Sequence, residues 1–418
     1  MVWRIHNGNN DPNTFRAYQD PLYFWANWDI RGFGGSDTLH GSEQRDKIFG
    51  HSGNDRIYGR GGNDYVSGST GEDYVYGGSG NDEVRGGDDN DYLSGGDDND
   101  DLYAEDGNDI LYGGHGRDKM LGGEGDDTYE LKDIMDDFYD EIVEYSNQGT
   151  DLINAAWSYS LASIPHVENL TLTGTARDGT GNNLRNEITG NSRNNTLDGG
   201  AGVDRLIGGD GNDIYIVDRT EDEVVENSNA GIDEIQSSTY NYTLPVNVEN
   251  LTLIENGRNG YGNYQDNTLQ GNRRNNRLEG GNGQDKLTGT SEYTSDYQID
   301  YLTGGNGGDG FYLGTRNNSY YQSSILNDND ATNNYLDTYG KYQYAVITDF
   351  EDGVDRIYLE GQVGDYELGN TTVGGGGVGI YLDRDNSNSI GIEDDLIAIV
   401  KGDNDNLSLS NGTQFLYL

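Results

Sequence analysis

The chain has no cysteine in its 418 residues, which excludes disulfides and thiolate metal sites alike. Proline occurs only four times. Apolar residues make up 32%, short of the roughly 45–50% usual in globular chains, so a conventional thick core is not on offer. Basic residues are scarce as well: 26 Lys and Arg stand against 74 Asp and Glu, a net charge of −48. A polyanion whose longest basic clusters are pairs such as Arg273-Arg274 is not built to meet phosphates, so nucleic acid is not expected as a partner. No stretch approaches the ~18 apolar residues of a membrane span, and membrane insertion is not expected. The opening "MVWRIHNGNNDPNTF" lacks the apolar centre of a Sec signal peptide, so any export is expected by another route. None of the five histidines opens an HExxH, and no GxSxG is present. Zinc-protease and lipase chemistry therefore lack their residues. Only 31 residues precede the repeats described next, which is short for a catalytic domain.

What is abundant is glycine, 65 residues, and acid, and both fall on one period. From Gly32 to Glu130 the chain divides into eleven unbroken nonapeptides. Position six is Asp throughout: Asp37, Asp46, Asp55, Asp64, Asp73, Asp82, Asp91, Asp100, Asp109, Asp118 and Asp127. Position eight is apolar throughout, from Leu39 to Tyr129. Positions seven to nine suit a short strand with position eight facing inward. Positions one to six, "GGxGxD", suit a turn in which glycine supplies positive φ or close backbone approach. Asp89 and Asp98, which replace the glycine of position four, tolerate the left-handed region better than most residues. Strand and turn alternate, so two nonapeptides make one coil of a solenoid. Stacked coils then set the aspartates one above another, a column that repels itself without a cation. Calcium meets the need, since it takes about six to eight hard oxygens in flexible geometry. Magnesium, which keeps its waters and a strict octahedron, fits less well.

The repeat resembles the RTX (repeats-in-toxin) nonapeptide GGxGxDxUx. The resemblance implies an all-β fold, a right-handed parallel β-roll or β-helix with calcium-binding turns. It also implies a protein secreted without a Sec signal, by a type I route. In that family each calcium lies between same-side turns of adjacent coils, held by both aspartates and by loop carbonyls. Carried over, the ligands are Asp37, Asp55, Asp64, Asp73, Asp82, Asp91, Asp100, Asp109, Asp118 and Asp127. Later repeats add Asp204, Asp213, Asp285 and Asp309. The carbonyls implied are those of Gly59, Gly62, Gly77, Gly78, Gly80, Gly86, Gly87, Gly95, Gly96, Gly107, Gly113, Gly114, Gly116, Gly122, Gly123 and Gly125. Asp82 is expected to pair with Asp100, and Asp91 with Asp73 or Asp109. Eleven units give at most nine such pairs. The pair using Asp46 is weakened because "GSEQRDKIF" has lost three motif glycines.

Beyond the first block, residues 125–209 and 211–289 are a duplication, with "VENLTLTG" against "VENLTLIE". These two segments are expected to be strands that continue the solenoid. Nonapeptides return at 181, 190, 199 and 208, then at 262, 271, 280 and 304. Position six becomes asparagine at Asn186, Asn195, Asn267 and Asn276. Asparagine brings no charge, so these turns are expected to bind weakly or not at all, with stacked amides hydrogen-bonding instead. The domain reading is an N-terminal cap (1–31), the eleven-unit roll (32–130) and a duplicated solenoid region (131–309). A polar, tyrosine-rich insertion (310–344) and a C-terminal cap with a type I secretion signal (345–418) follow. Irregularity is expected from residue 289 onward, to 344. Residues 345 onward resemble the end of serralysin-type and cyanobacterial RTX proteins. "DRDNSNSIGIED", 383–394, starts like an EF-hand loop but has Asn388 where that loop needs glycine, so a turn is expected.

The 32 tyrosines fall into ladders, with Tyr58 beside Tyr76 and Tyr74 beside Tyr92 on successive coils. Such rows either support strand structure or bind glycan, and the packing role is the expected one. The sequence thus reads as a secreted, non-catalytic calcium-binding solenoid with a structural role at the cell surface, in a surface layer, fibre or matrix. Its partners are calcium and either further copies of itself or a surface polysaccharide. An adhesive or carbohydrate-binding module is the second reading, and a hydrolase the third.

Overall fold

The computed structural model describes residues 3–17, 26–132, 139–289, 298–313, 343–351, 354–359, 365–371, 377–382, 395–403, 407–410 and 414–417. The possible EF-hand loop at 383–394 and most of the 310–344 insertion, namely 314–342, lie outside these residues. The chain forms two compact units, Met1–Gly209 and Asp210–Leu418. Both are β-solenoids, and no α-helix occurs among the described residues.

In the first unit, the strands at Trp3–Asn9, Asn27–Gly34, Lys47–Ser52, Tyr65–Thr70, Glu83–Asp88, Asp101–Asp106, Lys119–Glu124 and Glu141–Val143 form one eight-stranded sheet in that order. The alternate strands, among them Arg56–Gly61, Tyr74–Ser79, Tyr92–Asp97 and Ile110–His115, form a second sheet. Pairing is parallel, and partners in the repeat block lie eighteen residues apart, as with Val75 and Leu93. Two nonapeptides therefore make one coil. The position-eight residues are fully buried, with Leu39, Ile57, Val75, Leu93 and Leu111 on one sheet and Ile48, Val66, Val84 and Leu102 on the other. One apolar side chain in nine residues, worth about 1.5–3 kcal/mol on burial, makes a thin core.

Strands are longer than the three residues expected. Tyr74–Ser79 spans positions seven to nine and then the first three positions of the next unit. The glycines thus belong to the strand, and the turn is left with positions four to six. The backbone bends without leaving the sheet because positions two and four have positive φ. Gly78 stands at +121° and Gly80 at +111°. Asp89 and Asp98 take the same conformation at 78° and 77°. Position one needs glycine for a different reason: a Cβ on Gly77 would lie 2.5 Å from Asp82 Oδ2 and 2.6 Å from the Gly95 carbonyl oxygen.

The second unit repeats the plan. Asn250–Leu253, within "VENLTLIE", pairs in parallel with Glu234–Ser237 and Thr268–Gln270. Its counterpart Asn169–Leu172 does the same in the first unit. The expectation of irregular chain from 289 fails over Gln298–Asn306, a nine-residue strand between Arg277–Asn282 and Gln343–Glu351. There Asp300 and Leu302 are buried two residues apart, the spacing of positions six and eight, so the segment supplies another coil without the glycines that mark one. In that sheet parallel stacking ends at Asp395–Asp403, which pairs antiparallel with Gly377–Leu382, itself antiparallel to Tyr366–Thr371, while in the other sheet it runs on to Phe415–Tyr417.

Position two is occupied by L-residues with positive φ at Phe33, His51, Arg60, Ser69 and Glu105. An L-residue there costs about 1–2 kcal/mol, while added glycine loosens the unfolded chain by about 0.4–1 kcal/mol. Ser69→Gly is therefore expected to stabilise the calcium-saturated protein by roughly 0.5–1 kcal/mol. Thermal melting at fixed calcium checks this, and an unchanged or lower midpoint would contradict it.

Candidate metal centres

The position-six aspartates line the inner side of the turns, each no more than 4% exposed. Their two oxygens are treated differently. Oδ1 accepts the backbone N–H of the aspartate one coil earlier: Asp82 N–H donates to Asp100 Oδ1, Asp73 N–H to Asp91 Oδ1 and Asp91 N–H to Asp109 Oδ1, each at 2.7 Å. The expected pairs are thus neighbours, and Asp91 sits between both of its candidates. Oδ2 has no hydrogen-bond partner, although it is buried, in Asp37, Asp55, Asp64, Asp73, Asp82, Asp91, Asp100, Asp109, Asp127, Asp285 and Asp309. Beside each except Asp109, whose unit starts with Ala104, lies the position-one glycine, which leaves room where a side chain would otherwise stand; a carbonyl of the next coil adjoins it at Gly32, Gly50, Gly59, Gly77, Gly86, Gly95 and Gly280. Buried anionic oxygens beside carbonyls make a donor set for a hard cation.

Electrostatics agree with geometry. Burial, with the charge of neighbouring aspartates added, pushes the Asp64 and Asp100 carboxyls up to about 9 and those of Asp73 and Asp91 to about 8. Asp82 rises to about 7 through burial and the charge of Asp98. Without a cation these groups would have to hold protons at neutral pH.

Turns that depart from the motif are satisfied internally. In "GSEQRD", Asp46 Oδ2 accepts from the Ser42 backbone at 2.6 Å and from its hydroxyl at 2.9 Å. The asparagine turns do this more fully. Asn186 Oδ1 accepts from Asn182 N–H at 2.8 Å, while Asn182 Nδ2 donates to the carbonyls of Ile164 and Val167 at 2.9 and 2.7 Å. Asn263 repeats this with Asn267, Pro245 and Val248. An amide group stands where the cation would, so these turns have carbonyls already engaged and no orphan carboxylate. The signal in the sequence is paired: glycine at position two becomes Asn182, Asn191, Asn263 or Asn272 wherever position six becomes asparagine.

Several members of the column were not foreseen. Asp140, Asp151, Asp233, Asp300 and Asp355 accept the same backbone N–H, from Asp118, Asp127, Asp213, Asn276 and Asp309. Their signature is Asp-x-apolar, as in Asp151-Leu152-Ile153, without the glycine pair of positions one and two. Asn63, Asn81, Asn90, Asn99 and Asn108, at position five, form an outer ladder; Asn108 N–H donates to Asn90 Oδ1 at 2.8 Å.

A parallel β-roll whose turns carry a buried column of orphaned carboxylates is a calcium-binding solenoid. The model of the RTX calcium-binding nonapeptide repeat matches residues 31–66, 58–93, 67–102, 94–129, 180–215 and 261–292: the chain carries RTX nonapeptide repeats, and these bind calcium. No curated protein matches it.

A carboxyl whose folded pKa stands above its unfolded value of about 4 contributes stability fully below that value and loses it as pH rises through the folded one. For this column the window runs from about 4 to about 9. Metal-free protein is therefore expected to gain β-structure on acidification from pH ~8 to ~5, read by far-UV circular dichroism. Constant or falling β-content would show that the column does not limit folding.

Proposed function

We propose that the chain is secreted and non-catalytic, that extracellular calcium folds it, and that it serves a structural role at the cell surface. The observation that carries this reading is the column of buried, unpartnered Oδ2 atoms. The ligands are the aspartates named from the motif, save Asp46, together with the glycine carbonyls of the same turns. With affinities on the order of 10⁻⁴–10⁻³ M, typical of extracellular modules, such sites stay empty where calcium is scarce and fill where it is plentiful. An unfolded polyanion suits passage through a type I channel, and calcium outside then drives compaction.

Support for a structural role lies in the edges and faces. Among the described residues Trp3–Asn9 is the outer strand of its sheet, while the second unit ends a sheet in antiparallel strands. An outer strand of this kind can pair with a second copy. The faces carry an aromatic row: His40 stacks on Tyr58 at 4.6 Å, Tyr58 on Tyr76 at 5.0 Å, and Tyr74 lies 6.0 Å from Tyr92. Those contacts favour the packing role for the tyrosines. Tyr74 is 44% exposed with Arg56 over its ring, which is what favours the second reading, a glycan-binding face.

Sedimentation velocity in chelator and then in about 1–5 mM calcium tests the proposal. The expected outcome is an expanded chain that compacts and then forms larger species as calcium is added. A compact monomer that binds surface polysaccharide, weakened by Tyr74→Ala, would favour the adhesive reading instead. No calcium response would refute both.

A further inference from the structure

The duplicated module holds a second kind of carboxylate cluster. Asp127, Glu144 and Asp151 each offer an oxygen within 4.8 Å of the others, and Asp213, Glu226 and Asp233 do the same in the second unit. Each pair of aspartates is part of the column already described, but the glutamates are not. They precede degenerate turns, "EYSNQGTD" at 144–151 and "ENSNAGID" at 226–233. In these turns Asn147 and Asn229 supply the positive φ of position two, at 63° and 60°. Both glutamates fall outside the segments matched by the repeat family.

Each glutamate is held in place by a core tyrosine. Tyr129 and Tyr215 occupy position eight, where an aliphatic residue is the rule, and both are fully buried. The Tyr129 hydroxyl donates to Glu144 Oε1 and accepts from Gly122 N–H at 2.7 Å. The Tyr215 hydroxyl donates to Glu226 Oε1 in the same manner. Asp127 Oδ2 and Glu144 Oε1 both face the open side of Gly122, where any side chain would collide with them. Asp127 is 1% and Glu144 7% exposed, and Asp127 Oδ2 and Glu144 Oε2 are left without partners. Asp233, 1% exposed, likewise keeps an unpartnered Oδ2. Burying three carboxylates around one point is tolerable only if a cation joins them.

We propose that Asp127, Glu144 and Asp151, and again Asp213, Glu226 and Asp233, form two calcium sites with three carboxylates each, which fill before the two-carboxylate sites of the nonapeptides. The inference rests on the calcium reading of the column and adds an order of filling to it. Calcium affinity rises with the number of charged ligands, so the third carboxylate sets these two sites apart. The tyrosine is a positioning residue that fixes the glutamate from the core side.

The test is calcium titration of the full chain by calorimetry, comparing wild type with Glu144→Gln/Glu226→Gln. Wild type is expected to bind a first class of two ions per chain. In the double variant that class weakens by about tenfold or more and merges with the rest. Glu144→Gln alone removes one of the two, and Asp100→Asn leaves both while depleting the weaker class. Circular dichroism at saturating calcium establishes that each variant folds. Tyr129→Phe/Tyr215→Phe keeps every carboxylate and is expected to weaken the same class by less, which covers the case of a glutamine variant that fails to fold. Calcium binding whose tightest class is unmoved by these substitutions overturns the inference and leaves the nonapeptide sites standing. A wild type that binds no calcium overturns both.

Discussion

Everything in the repeat block leans on two buried columns of aspartates, one through Asp73, Asp91 and Asp109 and one through Asp64, Asp82 and Asp100. The eighteen-residue coil sets each position-six carboxylate against the backbone N–H of the coil before it, so Oδ1 is bonded and Oδ2 is not. An uncompensated buried carboxylate costs several kcal/mol, and each column repeats that cost coil after coil. One buried aliphatic side chain per repeat does not offset it. The fold is therefore conditional: the stack is favourable only when something positive sits among the carboxylates, and the glycine-rich turns supply the remaining oxygens. Stability and ligand binding are here the same free energy.

The asparagine turns show what the same backbone does when freed from that condition. Asn182 and Asn263 each donate to two carbonyls of the preceding coil, and a hydrogen bond of this kind is worth about 0.5–1.5 kcal/mol net. The substitution at position two also removes the need for a left-handed residue, since none of these asparagines has positive φ. The solenoid thus has two sorts of coil with one register. One is closed by a cation and takes a residue of positive φ at position two, glycine or not, while the other is closed by an amide and takes asparagine. Ser42 with Asp46 is a third version, in which a hydroxyl satisfies the carboxylate.

Much of this was legible because a strict period leaves little freedom. Asp at position six and an apolar residue at position eight name the column and the core directly, and the pairing of Asp82 with Asp100 follows from two units per coil. Legibility failed where local chemistry changed while the register held. Asp151 and Asp233 lack the glycine pairs before them, and Asp300 follows a polar stretch, yet each falls in the column because its backbone hydrogen bond is set by the neighbouring coil. The glycines were assigned to turns on composition, whereas half of the motif continues the strand. That difference comes from φ: a residue at +121° bends a strand without ending it. The glutamates of the duplicated module carry no periodic mark at all. Only the side-chain positions reveal that Glu144 meets Asp127.

The acid of this chain consequently falls into two populations with opposite needs. In "GGDDND" the side chains of Asp88 and Asp89 are exposed and solvated, while Asp91, two residues further, is 3% exposed. The outer carboxylates pay no desolvation and keep the surface strongly negative. The inner ones cannot be neutralised by solvent and are reached only by ions that enter the stacked turns. Salt screens the first population and barely touches the second. Ordinary ionic strength thus quiets the surface of a chain of charge −48 without neutralising the inner carboxylates, which are left to the calcium that the repeats bind.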